Sequence, residues 1–401
     1  MTDSTLPRPA MPRAIWVLGF VSLLMDVSSE LIHSLLPVFM TTTLATSALL
    51  IGIVEGLAEA TALIVKVFSG VLSDYLGKRK ALAAWGYALG ALSKPLFAIA
   101  TSTGTILGAR LIDRVGKGIR GAPRDALIAD IAPESVRGEA FGLRQSLDTV
   151  GSFLGPLLAI VLMLAWHNDF RAVFWVAVIP GALSVVLLLF GVQEPPRNTG
   201  SATQPLRLAS LQRFTADYWW VVAIGAVFTL ARFSEAFLLL RALKDGVSVA
   251  FAPIVLIGMN LVYSIAAYPL GKLSDTVSHS RLLAAGVLLL IAADLTLAWN
   301  DGWLCLAIGV ALWGLHMGAT QGLLARMVAD SAPAELRGSA YGFFNLASGI
   351  ALLLASVIAG LLWDQFGAAI TFVVGAAFAT SALALLGVRP VPTARIATFH
   401  K

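Results

Sequence analysis

Charge is scarce in this chain: Asp, Glu, Lys and Arg make up 13% of its 401 residues, about half of what a soluble domain carries. With 58% hydrophobic residues and a mean hydropathy of +0.84, too little polar surface remains to face water, which excludes an ordinary globular protein. Cysteine is scarcer still. Cys305 is alone, so neither a disulfide framework nor a cysteine metal site can form. Also missing are a His cluster with metal-ligand spacing, a nucleophile elbow, and a Gly-rich nucleotide loop following a strand. The Gly-Lys-Gly at 116–118 lies inside a helical stretch without the rest of a phosphate loop. The expectation is a non-enzyme with no cofactor and no metal.

What the chain does have is apolar runs of about 20 residues, the length needed to cross a hydrocarbon core of about 30 Å. They fall near 14–40, 48–73, 81–101, 104–125, 138–165, 172–191, 217–243, 250–273, 281–299, 303–326, 338–363 and 369–388. The fold class is therefore all-α integral membrane with twelve transmembrane helices, in contact with membrane lipid. The first run is too long and too charged for a cleavable signal peptide and reads as the first span.

The net charge of +5 is a matter of topology, not of nucleic acid, because the bases lie in alternate loops. Arg8, Arg13, Lys78, Arg79, Lys80, Arg137, Arg197, Arg207, Arg213, Arg281, Arg337, Arg389, Arg395 and Lys401 fall on one side, and little beyond Arg171 and Lys244 on the other. The positive-inside rule puts both termini in the cytoplasm, and the expected location is the cytoplasmic (inner) membrane.

The sequence repeats. GVLSD at 70–74 returns as GKLSD at 271–275, and ADIAPESVRGEAFG at 129–142 returns as ADSAPAELRGSAYG at 329–342. Two copies of a six-helix unit follow: an N-terminal bundle at 1–193, a Pro-, Ser- and Arg-bearing cytoplasmic linker at 194–216, and a C-terminal bundle at 217–401.

Two parallel six-helix halves are the architecture of major-facilitator transporters, and one loop makes the likeness specific. Gly70, Asp74, Gly77, Lys78 and Arg79 match the G-x-x-x-D-(R/K)-x-G-(R/K)-(R/K) motif between the second and third helices of that family. Tyr75 departs from it, standing where a base is usual. The chain thus resembles the major facilitator superfamily over nearly its whole length. The likeness implies alternating access about a midplane site between the halves; the loop itself reads as a conformational latch, since a mere topology anchor would explain its bases but not the Gly and Asp that recur in the second half. It also implies that the third, sixth, ninth and twelfth helices face lipid.

A charged side chain inside the membrane is costly and tends to serve a function, so the spacing of the remaining charge is informative. Asp26, Glu30 and His33 lie at i, i+4, i+7 on the first span, and Glu55 and Glu59 at i, i+4 on the second. Arg110, Asp113, Arg114 and Lys117 follow i, i+3, i+4, i+7 on the fourth, and Arg144 and Asp148 lie at i, i+4 on the fifth. Each set forms one helical stripe. The sixth and twelfth spans carry no charge in their apolar cores, and the third and ninth carry one each, Lys94 and Asp294.

The second half is poorer in charge: Arg144 becomes Phe344, Asp148 becomes Ser348 and Arg114 becomes Gly314, while Arg232 and Glu235 mark the seventh span. Asp26, Glu30, Glu59, Asp113 and Asp148 are the candidate proton carriers. Arg110, Arg114, Arg144, Arg232 and Glu235 are the candidate substrate contacts. The single helix-four arginine that the resemblance implies can be Arg110, by distance to Asp130, or Arg114, by the pattern it makes with Lys117 and Gly118. Isolated His33 and His316 read equally well as packing residues.

Gly151, Gly155 and Pro156 in GSFLGP match the first part of the superfamily's exporter motif, whose last glycines are replaced by Ala159 and Ile160. Small residues four apart admit a close helix partner, expected from the other half, and Pro156 supplies a kink. The expected protein is a monomeric, proton-coupled exporter of a small anionic, zwitterionic or amphiphilic compound. A metabolite importer and a non-transporting receptor on the same fold stay open.

Overall fold

The computed structural model describes residues 10–76, 78–194, 213–273, 277–299, 302–333 and 336–388, except the side chains of Val71 and Asp74. Gly77 of the loop motif, residues 195–212 of the linker and residues 274–276, which include the last two of the second-half copy, lie outside them. Among the described residues there are fourteen α-helices and no strand. The first half contains α1 (Arg13–His33), α2 (Leu36–Thr42), α3 (Ala48–Leu76), α4 (Arg79–Ile99), α5 (Thr103–Ile131), α6 (Arg137–Ala165) and α7 (Phe170–Gly191). The second contains α8 (Ala216–Ala231), α9 (Ala236–Lys244), α10 (Ile254–Leu273), α11 (His279–Trp299), α12 (Trp303–Ser331), α13 (Arg337–Phe366) and α14 (Ala368–Val388). The starts of α4, α5 and α6 recur 200 residues later in α11, α12 and α13, so the sequence repeat is a structural one.

Fourteen helices make twelve spans because the first and seventh are each interrupted. Pro37 accounts for the first break: its ring would collide with the carbonyl of His33, four residues back, and it has no N–H to donate. The chain turns at 34–35 and restarts as α2. No proline explains the second break, at 232–235. There Ser356 Oγ accepts the Ser234 N–H at 3.2 Å, and Ser234 Oγ accepts that of Ala236 at 3.2 Å. Side chains thus take up backbone donors that a continuous helix would satisfy internally.

Eleven spans are long and apolar enough to cross a membrane. The exception, α5, carries the charged stripe. It starts at Ser102, whose Oγ accepts the Thr105 N–H, and runs to Ile131, past the expected end at 125. In the same way α12 runs to Ser331, past 326. The extra turns are the polar ends that a hydropathy reading trims.

The residues group into two compact units. One holds α1, α3 from residue 65 onward, and α4 to α7. Its tightest crossing is α4 on α5, where a Cβ on Gly86 would lie 2.7 Å from Gly116 O and one on Gly116 2.6 Å from Gly86 O. The other unit holds α2, the beginning of α3 as far as residue 64, and α8 to α14. In it Asp364 at the end of α13 caps α3, its two carboxylate oxygens each accepting a backbone N–H, of Ala48 and Leu49, at 2.9 Å. Gly52, Gly56 and Gly360 sit where any side chain would strike the facing helix, within 2.1, 3.0 and 2.4 Å of its backbone.

Candidate functional site

The charge stripes of the first half converge in one buried network. Asp113 on α5 is 1% exposed and is approached from three helices. Lys94 on α4, fully buried, donates from Nζ to Asp113 Oδ1 at 2.7 Å and to Ser29 Oγ on α1 at 2.9 Å. Arg114 Nε lies 3.8 Å from Asp113 Oδ2, and Arg114 Nη2 donates to His33 Nδ1 at 3.0 Å. A guanidinium has no acceptor, so a neutral His33 ring accepts at Nδ1 and carries its hydrogen on Nε2. That nitrogen lies 3.3 Å from Asp113 Oδ2. Glu30, about a quarter exposed, lies 3.9 Å from His33 Nδ1. The imidazole thus stands between a carboxylate that water can reach and one that it cannot.

Both breaks in the spans sit beside ionisable groups, the first because α1 ends on His33 itself, the second because Arg232 and Glu235 bound the interruption. Arg232 and Glu235 are half-buried, and the Arg232 guanidinium lies 5.9 Å from the Phe228 ring centre.

Other expected site residues form a second set in the same unit as Asp113. Arg144 donates to Asp148 at 2.5 Å, and Arg124 Nη1 lies 3.9 Å from the other oxygen of that carboxylate. Arg124 also donates to Ser22 Oγ at 3.0 Å, Ser22 pairs with the Tyr87 hydroxyl at 3.2 Å, and Arg120 lies over the Tyr87 ring. Arg110 is buried on the face of α5 one turn before Arg114, whereas Lys117 is exposed. Asp26 is half-buried. Glu59 belongs to the other unit, on the early part of α3. In the loop motif Gly70 packs near Ala122, Lys78 is exposed, and Arg79 pairs with Asp130 and donates to Ala126 O at 3.0 Å.

One expectation needs correcting. The partner of the Gly151, Gly155 and Pro156 motif is not a helix of the other half but α1 of its own half. A Cβ at Gly151 would lie 2.9 Å from Asp26 Cβ, and one at Gly155 2.7 Å from Glu30 Cβ. The glycines seat the acid-bearing face of α1 directly on α6. The single charges of the third and ninth spans, Lys94 and Asp294, are both fully buried. Lys94 is the residue that sequence reasoning missed. The repeat held the signal, because Asp294 is its counterpart 200 residues on, and unlike charges at matched positions are not what lipid-facing sites retain. Among the described residues, no group of His, Cys, Asp and Glu is arranged to hold a metal ion.

Twelve helical spans in two repeated halves, with ionisable groups buried inside them, are the framework of a multi-pass membrane transporter. The chain belongs to the Major Facilitator Superfamily, whose family model matches residues 18–259 and 227–401. It is 32% identical over 376 residues to an uncharacterised MFS-type transporter of Methanocaldococcus jannaschii, covering 92% of this chain and 93% of that one. It is 24% identical over 364 residues to the quinolone resistance protein NorA of Staphylococcus aureus, covering 88% and 91%. Among solved structures it resembles the nucleoside transporter NupG, with a TM-score of 0.76, 15% identity and coverage of 94% and 99%. The chain is a membrane transporter for a small molecule, not an enzyme.

Proposed function

We propose that this transporter exports a small zwitterionic or amphiphilic compound in exchange for protons, by alternating access, as a monomer in the cytoplasmic membrane with both termini inside. The observation that carries the reading is the row Glu30, His33, Asp113 and Lys94, which joins a partly exposed acid to a buried ion pair through a titratable ring. Glu30 and Asp26 are the groups for which a proton and the cationic part of a substrate compete, and that competition is what makes the exchange obligatory. Arg110 and Arg114 hold an acidic group of the substrate through bidentate contacts. Arg144, Asp148 and Arg124 form a secondary charged station. Arg232, Glu235 and Glu59 line the substrate's path in the remaining helices. The glycines of α6 support this reading by seating Asp26 and Glu30 against α6, and the likeness to NorA supports the outward direction.

The test is proton movement in proteoliposomes driven by a panel of zwitterionic, anionic and cationic compounds. Glu30→Gln should abolish substrate-driven proton flux while counterflow of the substrate persists. Arg114→Gln should abolish substrate movement altogether. Flux of undiminished size in both variants would refute the assignment, and accumulation along the proton gradient would make the protein an importer.

A further inference from the structure

The second half contains an ionisable group that the site above does not use. Asp294 on α11 is fully buried, and among the described residues neither of its carboxyl oxygens has a hydrogen-bond partner. Its position is defined by two contacts. A Cβ on Gly375 of α14 would lie 2.7 Å from Asp294 Oδ2 and 3.0 Å from Phe233 Cε1. The carboxyl therefore rests on bare α14 backbone, beside the phenylalanine that sits in the break at 232–235.

The repeat shows how the two halves differ here. At an offset of 200, Lys94 corresponds to Asp294, Asp113 to Trp313 and His33 to Phe233. In the first half these three positions are a base and an imidazole that both contact an acid. In the second they are an acid and two aromatic rings, with Phe233 and Trp313 5.5 Å apart. Asp294 lies beside Phe233 and Phe233 against Trp313, yet among the described residues neither the carboxyl nor the Trp313 indole N–H has a hydrogen-bond partner.

The remaining charged and titratable groups on the packed elements make their contacts away from this carboxyl, although neither ring nitrogen of the buried His316 has a hydrogen-bond partner among the described residues. His316 on α12 lies against Phe228 and Trp313, at 5.6 and 6.1 Å. Arg232 lies over Phe228. Arg326 and His279 face Asp330 at 3.8 and 3.9 Å, near the helix ends. Cys305 is half-buried near the start of α12, Glu235 closes the break, and α14 has no titratable residue. A buried carboxyl group with no hydrogen-bond partner among the described residues is matched by a proton taken up from outside. A metal ion would need several oxygen ligands, and Gly375, Phe233 and Trp313 offer no side-chain oxygen.

We propose that Asp294 is a proton-binding site of the second half, at the break in the seventh span, separate from the Lys94–Asp113 network. It adds to the export reading and stands without it, because its occupancy can be read with no substrate present.

The experiment is infrared difference spectroscopy of the full chain in lipid, titrated with acid and base. A protonated-carboxyl band that comes and goes with pH is expected. It should be lost in Asp294→Asn, displaced in Asp294→Glu, and unchanged by Asp113→Asn or by exchanging potassium for sodium. Should the Asn variant fold poorly, Gly375→Ala, which crowds the carboxyl without removing it, should displace the same band. A band that survives Asp294→Asn, that persists at every pH, or that sodium suppresses overturns the proposal. A band that behaves as expected in a protein that exports nothing supports this site and rejects only the export reading.

Discussion

Lys94 and Asp113 make opposite demands on the bilayer taken singly and taken together. Breaking a buried pair by removing one partner leaves an uncompensated charge and costs about 3–5 kcal/mol, whereas replacing both can be nearly neutral. Lys94→Met and Asp113→Asn should each lower the thermal unfolding midpoint of the detergent-solubilised protein sharply. The double variant should recover most of that loss while remaining inactive. Additive losses would mean that the 2.7 Å contact is not the dominant one at either residue. His33→Gln tests the row differently: it keeps a hydrogen-bonding side chain beside Arg114 but cannot relay a proton, so substrate exchange should outlast proton coupling. The Asp113–Arg114 stripe was legible from i, i+3, i+4 spacing. Its partner Lys94 was not, because one charge in an apolar helix has no periodicity, and only the repeat compares it with anything.

At the scale of helices, hydropathy located all twelve spans but not the interruptions within two of them. Pro37 could have revealed the first. The second rests on Ser234 and Ser356, 122 residues apart, which is a tertiary contact with no local signature. Two predictions belong here. Gly155→Leu should drive α1 off α6, since its Cβ alone would meet Glu30 Cβ at 2.7 Å. Overpacking of this kind costs about 1–3 kcal/mol, and transport should fall while circular dichroism keeps its helical content. Asp364→Ala removes the cap on α3 and should cost about 1 kcal/mol, with Asp364→Asn milder because Asn caps nearly as well. Thermal unfolding of both variants in parallel checks the order.

For the molecule as a whole, two sequence echoes 200 and 201 residues apart were enough to read a duplicated fold. They could not show that the first 17 residues of α3 group with the second half, since that follows from glycine-lined packing against α13. Orientation is open to a direct test because the chain has one cysteine. With Cys305→Ser as background, cysteines placed at Thr2 or Thr398 should react with a membrane-impermeant maleimide only after cells are opened. Labelling of intact cells at either position would reverse the topology.

A duplicated gene begins as two identical texts, so opposite charges at 94 and 294 record a substitution in at least one copy, and so do the differing residues at 113 and 313. The molecule therefore holds two dialects of one sentence, and a translation can be attempted. Rewriting Phe233, Asp294 and Trp313 as His, Lys and Asp together would restore the first-half wording in the second. Tolerance of the triple variant, set against failure of each single change, would establish that the backbone of either half accepts both versions, and that the asymmetry between them was acquired and kept for use.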